Sequence, residues 1–149
     1  MREFLNENGV LYTNIRHPPA FTSAEIAETV HLDQRSFAKT LVVFINDLMA
    51  LVVVPASDRL ALPELRDMFQ TNHVRLATEE EFTDVFPDCA RGAMPPFGNL
   101  YGLPIYVETS LTEQPEIAFN AGTHTEVIKM AYADFDRLVR PLVLESITA

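Results

Sequence analysis

Three segments of this 149-residue chain combine residue types able to handle an acyl or phosphoryl oxygen. The first is Lys39, set between Phe37-Ala38 and the apolar run Thr40-Leu41-Val42-Val43. An ammonium at the mouth of a buried strand is costly unless it reaches solvent or an anion, so Lys39 is either a snorkelling strand-end lysine or an anion-binding group at a pocket rim. The second is Gly92-Ala-Met-Pro-Pro-Phe-Gly98. Its glycines free the backbone, while its prolines stiffen it and remove two donors, so the remaining N–H groups can be held in a fixed array toward a carbonyl or a developing oxyanion. A rigid surface turn is the competing reading. The third is Asn120-Ala-Gly122-Thr-His124-Thr, small residues around one imidazole that is either a hydrogen-bonded structural group or a base.

Other chemistries fall away. His124-x-Glu126 mimics half of a zinc-deaminase signature, but no Pro-Cys-x-x-Cys follows it, and the one cysteine, Cys89, comes earlier. His17, His31, His73 and His124 show no metal-ligand spacing, so neither a metal nor a cofactor is expected. Cys89 has no flanking Lys or His and reads as a small buried hydrophobe rather than a nucleophile. There is no Gly-x-Ser-x-Gly elbow and no phosphate-binding Gly-Lys-Ser/Thr sequence.

The elements that must position these residues alternate along the chain. Residues 2–8 predict a short helical turn stopped by Gly9, and residues 10–16 a strand ended by Pro18-Pro19. Thr22 with Glu25 forms a Thr-x-x-Glu capping box for a helix over 23–30, with Phe21 set to pack on Ile26 or Ala27. Asp33 can cap a further turn leading to Lys39. Residues 40–45 and 48–55 are apolar, β-rich runs joined by Asn46-Asp47, which predicts a tight hairpin of two central strands. Pro63 opens a helix over 64–70, residues 73–77 form a strand, and Thr78 with Glu81 repeats the capping box for a helix to 85. Residues 87–98 are too rich in Pro and Gly for helix or interior strand. Strands follow at 105–108, 116–120 and 125–130, then a helix over 133–140 stopped by Pro141. The expected fold is mixed α/β (α+β), a curled, barrel-like sheet with helices on its outside.

A hydrophobic content of 48% supports one core over residues 1–149, with no linker or repeat that would divide it. The N-terminus turns polar at once, and the longest apolar runs fall short of the ~20 residues that span a bilayer. No membrane association is expected, and a lone cysteine fits a reducing, cytoplasmic setting. Eleven Lys and Arg against 21 Asp and Glu give a net charge of −10, which repels a polyanion and argues against DNA or any long nucleic-acid track. A protein that grips only the end of a strand needs a few placed donors instead of a basic face.

In order and with their flanks, His17-Pro-Pro-Ala-Phe-Thr-Ser before a helix, Lys39-Thr-Leu-Val-Val, Gly92-Ala-Met-Pro-Pro96 and Gly122-Thr-His124 resemble the YbaK family, related to the editing domain inserted in bacterial prolyl-tRNA synthetases. The likeness covers residues 10–141. It implies a freestanding aminoacyl-tRNA deacylase whose partner is the 3′ acceptor end of a mischarged tRNA, with a synthetase as a candidate associate. It also implies that Lys39 contacts the tRNA end and that the loop of Gly92, Ala93, Met94, Pro95 and Pro96 holds the aminoacyl group through its backbone amides. Gly122 and His124 would face the same pocket, with Phe21, Thr22 and Thr40 among the substrate-binding residues. Gly-Thr-His places the chain nearer the branch that clears alanine or similarly small residues, with tRNA-Pro as carrier. Water would be oriented by the substrate's own hydroxyl or by His124. A non-catalytic nucleotide or aminoacyl-adenosine binding module and an acidic protein-interaction regulator are the other function classes. The oligomeric state is not readable.

With so few cations, recognition should use two or three phosphate contacts, Lys39 among them. The logarithm of affinity should then fall with the logarithm of salt with a slope of about −1.5 to −2. Titrations on an intact tRNA and on an acceptor-stem hairpin should agree. A much steeper slope on the whole tRNA would mean that the body of the molecule is gripped.

Overall fold

Asn46 and Asp47 both adopt positive φ, 50° and 66°, the backbone that a two-residue hairpin turn demands and that Asn and Asp tolerate best after glycine. Around this turn Ala38–Ile45 and Leu48–Pro55 pair antiparallel without interruption, from Ile45 opposite Leu48 to Ala38 opposite Pro55. The computed structural model, which describes residues 1–149, arranges the other elements about this hairpin. In chain order they are α1 (Arg2–Glu7), β1 (Tyr12–Arg16), α2 (Ser23–Thr29), the hairpin strands β2 and β3, α3 (Leu62–Phe69), β4 (Val74–Leu76) and α4 (Glu79–Phe82). After a 3-10 turn at Gly98–Leu100 come β5 (Ile105–Glu108), α5 (Thr109–Thr112), β6 (Glu116–Asn120), β7 (Glu126–Ala131), α6 (Tyr132–Val139) and β8 (Leu142–Leu144).

The strands form two sheets, one of five strands in the order β4-β2-β3-β5-β8 and one of three in the order β1-β7-β6. The first is mixed, because β5 and β8 run parallel to their neighbours while β2, β3 and β4 alternate. This corrects the expectation of one barrel-like sheet. The two sheets are joined by one isolated parallel bridge, between Phe37, just ahead of β2, and Ala118 of β6, where the Ala118 N–H donates to the Ser36 carbonyl at 3.0 Å, and neither sheet closes. β8 was missed because Pro141 reads as a stop. A proline lacks only its own donor, and the strand that follows it lies at the sheet edge, where Leu142 and Val143 stay exposed.

Both Thr-x-x-Glu sequences serve as helix starts. At α2 Thr22 accepts from the Glu25 N–H without the reciprocal bond, whereas Thr78 and Glu81 reciprocate at α4, which ends at Phe82 rather than at 85. Phe21 does not staple α2. It stays 71% exposed, and Ala20 is the residue that joins Ile26 and Ala27 in the core. No helix is long and apolar enough to cross a membrane.

The main core holds Phe97, Phe119 and Phe135, all fully buried, with Phe97 edge-on to the other two at 5.4 and 5.7 Å. Each such burial is worth about 1.5–3 kcal/mol, so Phe97 ties the downstream end of the Pro/Gly loop firmly to the core. Gly98 completes the anchor: its carbonyl accepts from Tyr101 and Leu103, and a Cβ there would stand 2.6 Å from the Leu103 carbonyl oxygen. That neighbour is backbone and cannot swing aside. Gly98→Ala should therefore lower stability by about 1–3 kcal/mol in urea or heat unfolding. An unchanged midpoint would show that the loop is not held here.

Candidate active site

Lys39 is the second residue of β2, opposite Val54 of β3, so its side chain leaves the sheet where β3 ends and turns away. Half-buried, its Nζ donates to the Asp58 backbone carbonyl at 2.7 Å. Burial pulls the ammonium below its usual pKa. The Asp58 carboxylate opposes that shift, and the Arg59 guanidinium adds to it.

Lys39 lines a cavity of about 740 Å³, within the range of ordinary small-molecule sites. One wall is polar and cationic, made by Lys39 and by the turn Ser57-Asp58-Arg59 that follows β3. Another is apolar, made by Val42, Phe82 and Met94, which are buried and belong to one packed cluster. Thr40 sits between Lys39 and Val42 along the strand, and its hydroxyl is buried without a partner. Phe21 and Thr22 form part of the rim at the start of α2, with Phe21 projecting into solvent.

The Pro/Gly loop reaches the cavity with Gly92 and Met94. Gly92 takes φ +77°, which turns the chain into the site. The N–H groups of Gly92 and Met94 donate to no group of the protein, whereas the Ala93 N–H is spent on the Ala90 carbonyl at 3.0 Å. Two of these three amides have no acceptor in the protein. Ala93, Pro95 and Pro96 are buried outside the cavity wall and support the loop from behind. Gly122 lies behind as well, in a reciprocal clamp: its N–H donates to the Ala93 carbonyl at 3.0 Å, and its carbonyl accepts from Ala90 at 2.8 Å. At φ +90° this is a glycine position.

His124 braces the same corner. Its Nε2 lies 2.6 Å from the Arg91 carbonyl; a carbonyl can only accept, so Nε2 carries a proton and donates. Nδ1 is buried and unpartnered. The ring packs where a Cβ on Gly92 would come within 3.9 Å, and its other neighbour is the Phe21 ring, centroid to centroid 5.0 Å. The structure thus brings Lys39, Thr40, Phe21, Thr22, Gly92 and Met94 to the cavity and sets His124, Gly122, Ala93, Pro95 and Pro96 in the shell that shapes it.

Sequence reasoning missed Arg59, Ser57 and Phe82. Ser57-Asp58-Arg59 had a usable signal, as the first polar turn after a central strand whose far end pairs with Lys39. Phe82 had none, because only tertiary packing carries α4 to the cavity. Cys89 lies outside the cavity, half-buried beside the Tyr101 hydroxyl and Asp88, and burial pushes its thiol above the usual value.

Among solved structures the fold is shared with hypothetical protein APE2540, at TM-score 0.86 and 19% identity over 99% of this chain and 98% of that one. It is shared too with a candidate trans-editing enzyme for prolyl tRNA synthetase, at TM-score 0.80 and 24% identity over 97% and 92%. At these identities the likeness is one of fold. No curated protein matches the chain. Residues 17–138, which hold the strand-end lysine, the Pro/Gly loop and the Gly-Thr-His turn, match the aminoacyl-tRNA editing domain, and the chain belongs to that family.

Proposed function

We propose that this chain, acting as one freestanding domain over residues 1–149, hydrolyses the ester linking a small, wrongly attached amino acid such as alanine to the 3′ end of tRNA-Pro. The reading rests on one observation: a single cavity joins a cationic wall, an apolar wall and two uncommitted backbone amides. An aminoacylated terminal nucleotide asks for these three features, a phosphate, a small side chain and a carbonyl. The work is done in the cytoplasm, where tRNA is charged, and a synthetase is the natural associate.

In this scheme the Gly92 and Met94 N–H groups hold the ester carbonyl and the oxyanion that develops on it. Lys39 anchors the phosphate end, with Thr40 beside it and with Phe21 and Thr22 closing the rim. The amino-acid side chain lies against Val42, Phe82 and Met94. Water adds to the carbonyl carbon, the bond to the ribose oxygen breaks, and the proton released by water ends on that oxygen. Since the His124 Nε2 is engaged with Arg91 and its Nδ1 is buried, the substrate's vicinal hydroxyl is the better group to orient the water. His124 keeps the Gly92 corner in place. An ester is labile enough for positioning and oxyanion stabilisation to supply the rate.

Two measurements test this. Lys39→Ala should lower single-turnover deacylation of alanyl-tRNA by at least about tenfold while leaving the unfolding midpoint nearly unchanged, because a half-buried ammonium on one carbonyl contributes little packing. Full activity would remove Lys39 from the mechanism, and an unfolded variant would make it a structural residue. Alanyl esters should be cleared far faster than prolyl esters on the same tRNA, since overfilling a rigid pocket costs about 1–3 kcal/mol, and Met94→Ala should narrow that difference. Equal alanyl and prolyl rates in the unaltered protein would contradict an editing role.

A further inference from the structure

The lip of the cavity carries a second cation that the sequence motifs do not single out. The protein has eleven basic residues, and six of them are paired with carboxylates: Arg2, Arg16, Arg35, Arg75, Arg91 and Arg137. Arg59 is not. It is exposed, it lines the same cavity as Lys39, and its charge is felt at the Lys39 ammonium. On a chain of net charge −10, two cations without ion-pair partners at one opening form a local reversal of sign.

The backbone that carries Arg59 is fixed. Its carbonyl accepts from the Ala149 N–H at 2.9 Å, Leu60 bridges to Thr148, and the Ala61 N–H donates to the Ile147 carbonyl at 2.7 Å, with the Ile147 side chain fully buried. Meanwhile the Arg59 guanidinium donates to no group of the protein, and the N–H groups of Ser57 and Arg59 have no acceptor either. The Asp58 carboxylate, which accepts from the Ser57 hydroxyl at 3.1 Å, opposes an anion here. Against that charge stand two cations and two free amides on a braced turn.

We infer that Arg59 and Lys39 together form a phosphate subsite, in which the planar guanidinium takes two oxygens of the phosphate on the 5′ side of the terminal nucleoside and the ammonium takes a third contact. This rests on the proposed function and deepens it: Arg59 is a binding residue for the nucleotide, and the enzyme reads an aminoacyl nucleotide in preference to an aminoacyl nucleoside.

The test uses non-hydrolysable 3′-alanylamido-adenosine with and without a 5′-phosphate, titrated into the full chain and into Arg59→Ala and Arg59→Lys. The unaltered protein should prefer the phosphorylated probe by about tenfold or more, the measure of one charge-assisted contact. Arg59→Ala should remove most of that preference, and Arg59→Lys should restore part of it. A structural role would weaken both probes alike and leave their ratio intact, and that result would overturn the inference, as would an unaltered ratio with no weakening. If adenosine monophosphate alone binds with the same dependence on Arg59 and the alanyl group adds nothing, the subsite stands and the deacylase reading falls. If neither probe binds the unaltered protein, both fall.

Discussion

The constraint on which the site depends is a half-buried ammonium whose one partner in the protein is a neutral carbonyl. Removing a cation from water without a counter-charge costs several kcal/mol when burial is complete, so Lys39 can persist only where an opening offers water or an anion. The fold supplies that opening. β2 must begin at the cavity for Lys39 to reach it, β3 must end opposite, and the turn that follows β3 must stay where its Asp58 carbonyl can be reached. Residues 147–149 hold that turn by backbone pairing, so the last residues of the chain act on the lysine without approaching it.

The opposite wall solves a different problem, which is how to leave two amides without acceptors in a loop that is fastened at several points. Phe97 and Gly98 fasten one end of the loop to the core, and the clamp between Gly122 and residues 90–93 fastens the middle. His124 then closes the corner by donating to the Arg91 carbonyl. The prolines add stiffness where no donor is wanted. Such an arrangement stores hydrogen-bonding capacity in backbone already ordered, so a ligand carbonyl that enters pays little reorganisation.

Much of this was legible in the sequence because it is local. Asn46-Asp47 between two apolar runs, the two Thr-x-x-Glu helix starts and the Pro/Gly loop each state their conformation within a few residues; the hairpin and the loop are found as read, while the box is complete only at α4, which is shorter than expected. What failed was decided at longer range. Phe21 has the position of a staple, yet it lies against an imidazole from a turn a hundred residues away. Residues 109–112 lack helical periodicity and form one turn because the Glu108 side chain accepts from Ser110. Two sheets form instead of a barrel because they are joined only by the bridge between Phe37 and Ala118, which no pattern within either sheet's strands encodes. The same holds in the site: Lys39, Gly92 and Met94 announce themselves, while Arg59 and Phe82 gain their places through pairing and packing elsewhere.

In the proposed reading, acidity and nucleic-acid recognition are compatible because the two cations that meet the phosphate, Lys39 and Arg59, line one opening. The account therefore makes a claim about orientation, with phosphate toward Lys39, the acyl carbonyl toward the Gly92 and Met94 amides and the small side chain against Val42, Phe82 and Met94. A crystal structure with 3′-alanylamido-adenosine 5′-phosphate bound tests it most directly. The account predicts hydrogen bonds at ~2.7–3.2 Å from the Gly92 and Met94 N–H groups to the alanyl carbonyl, with the methyl group on the apolar wall. An alanyl group pointing to solvent, or a carbonyl facing any other donor, would contradict it.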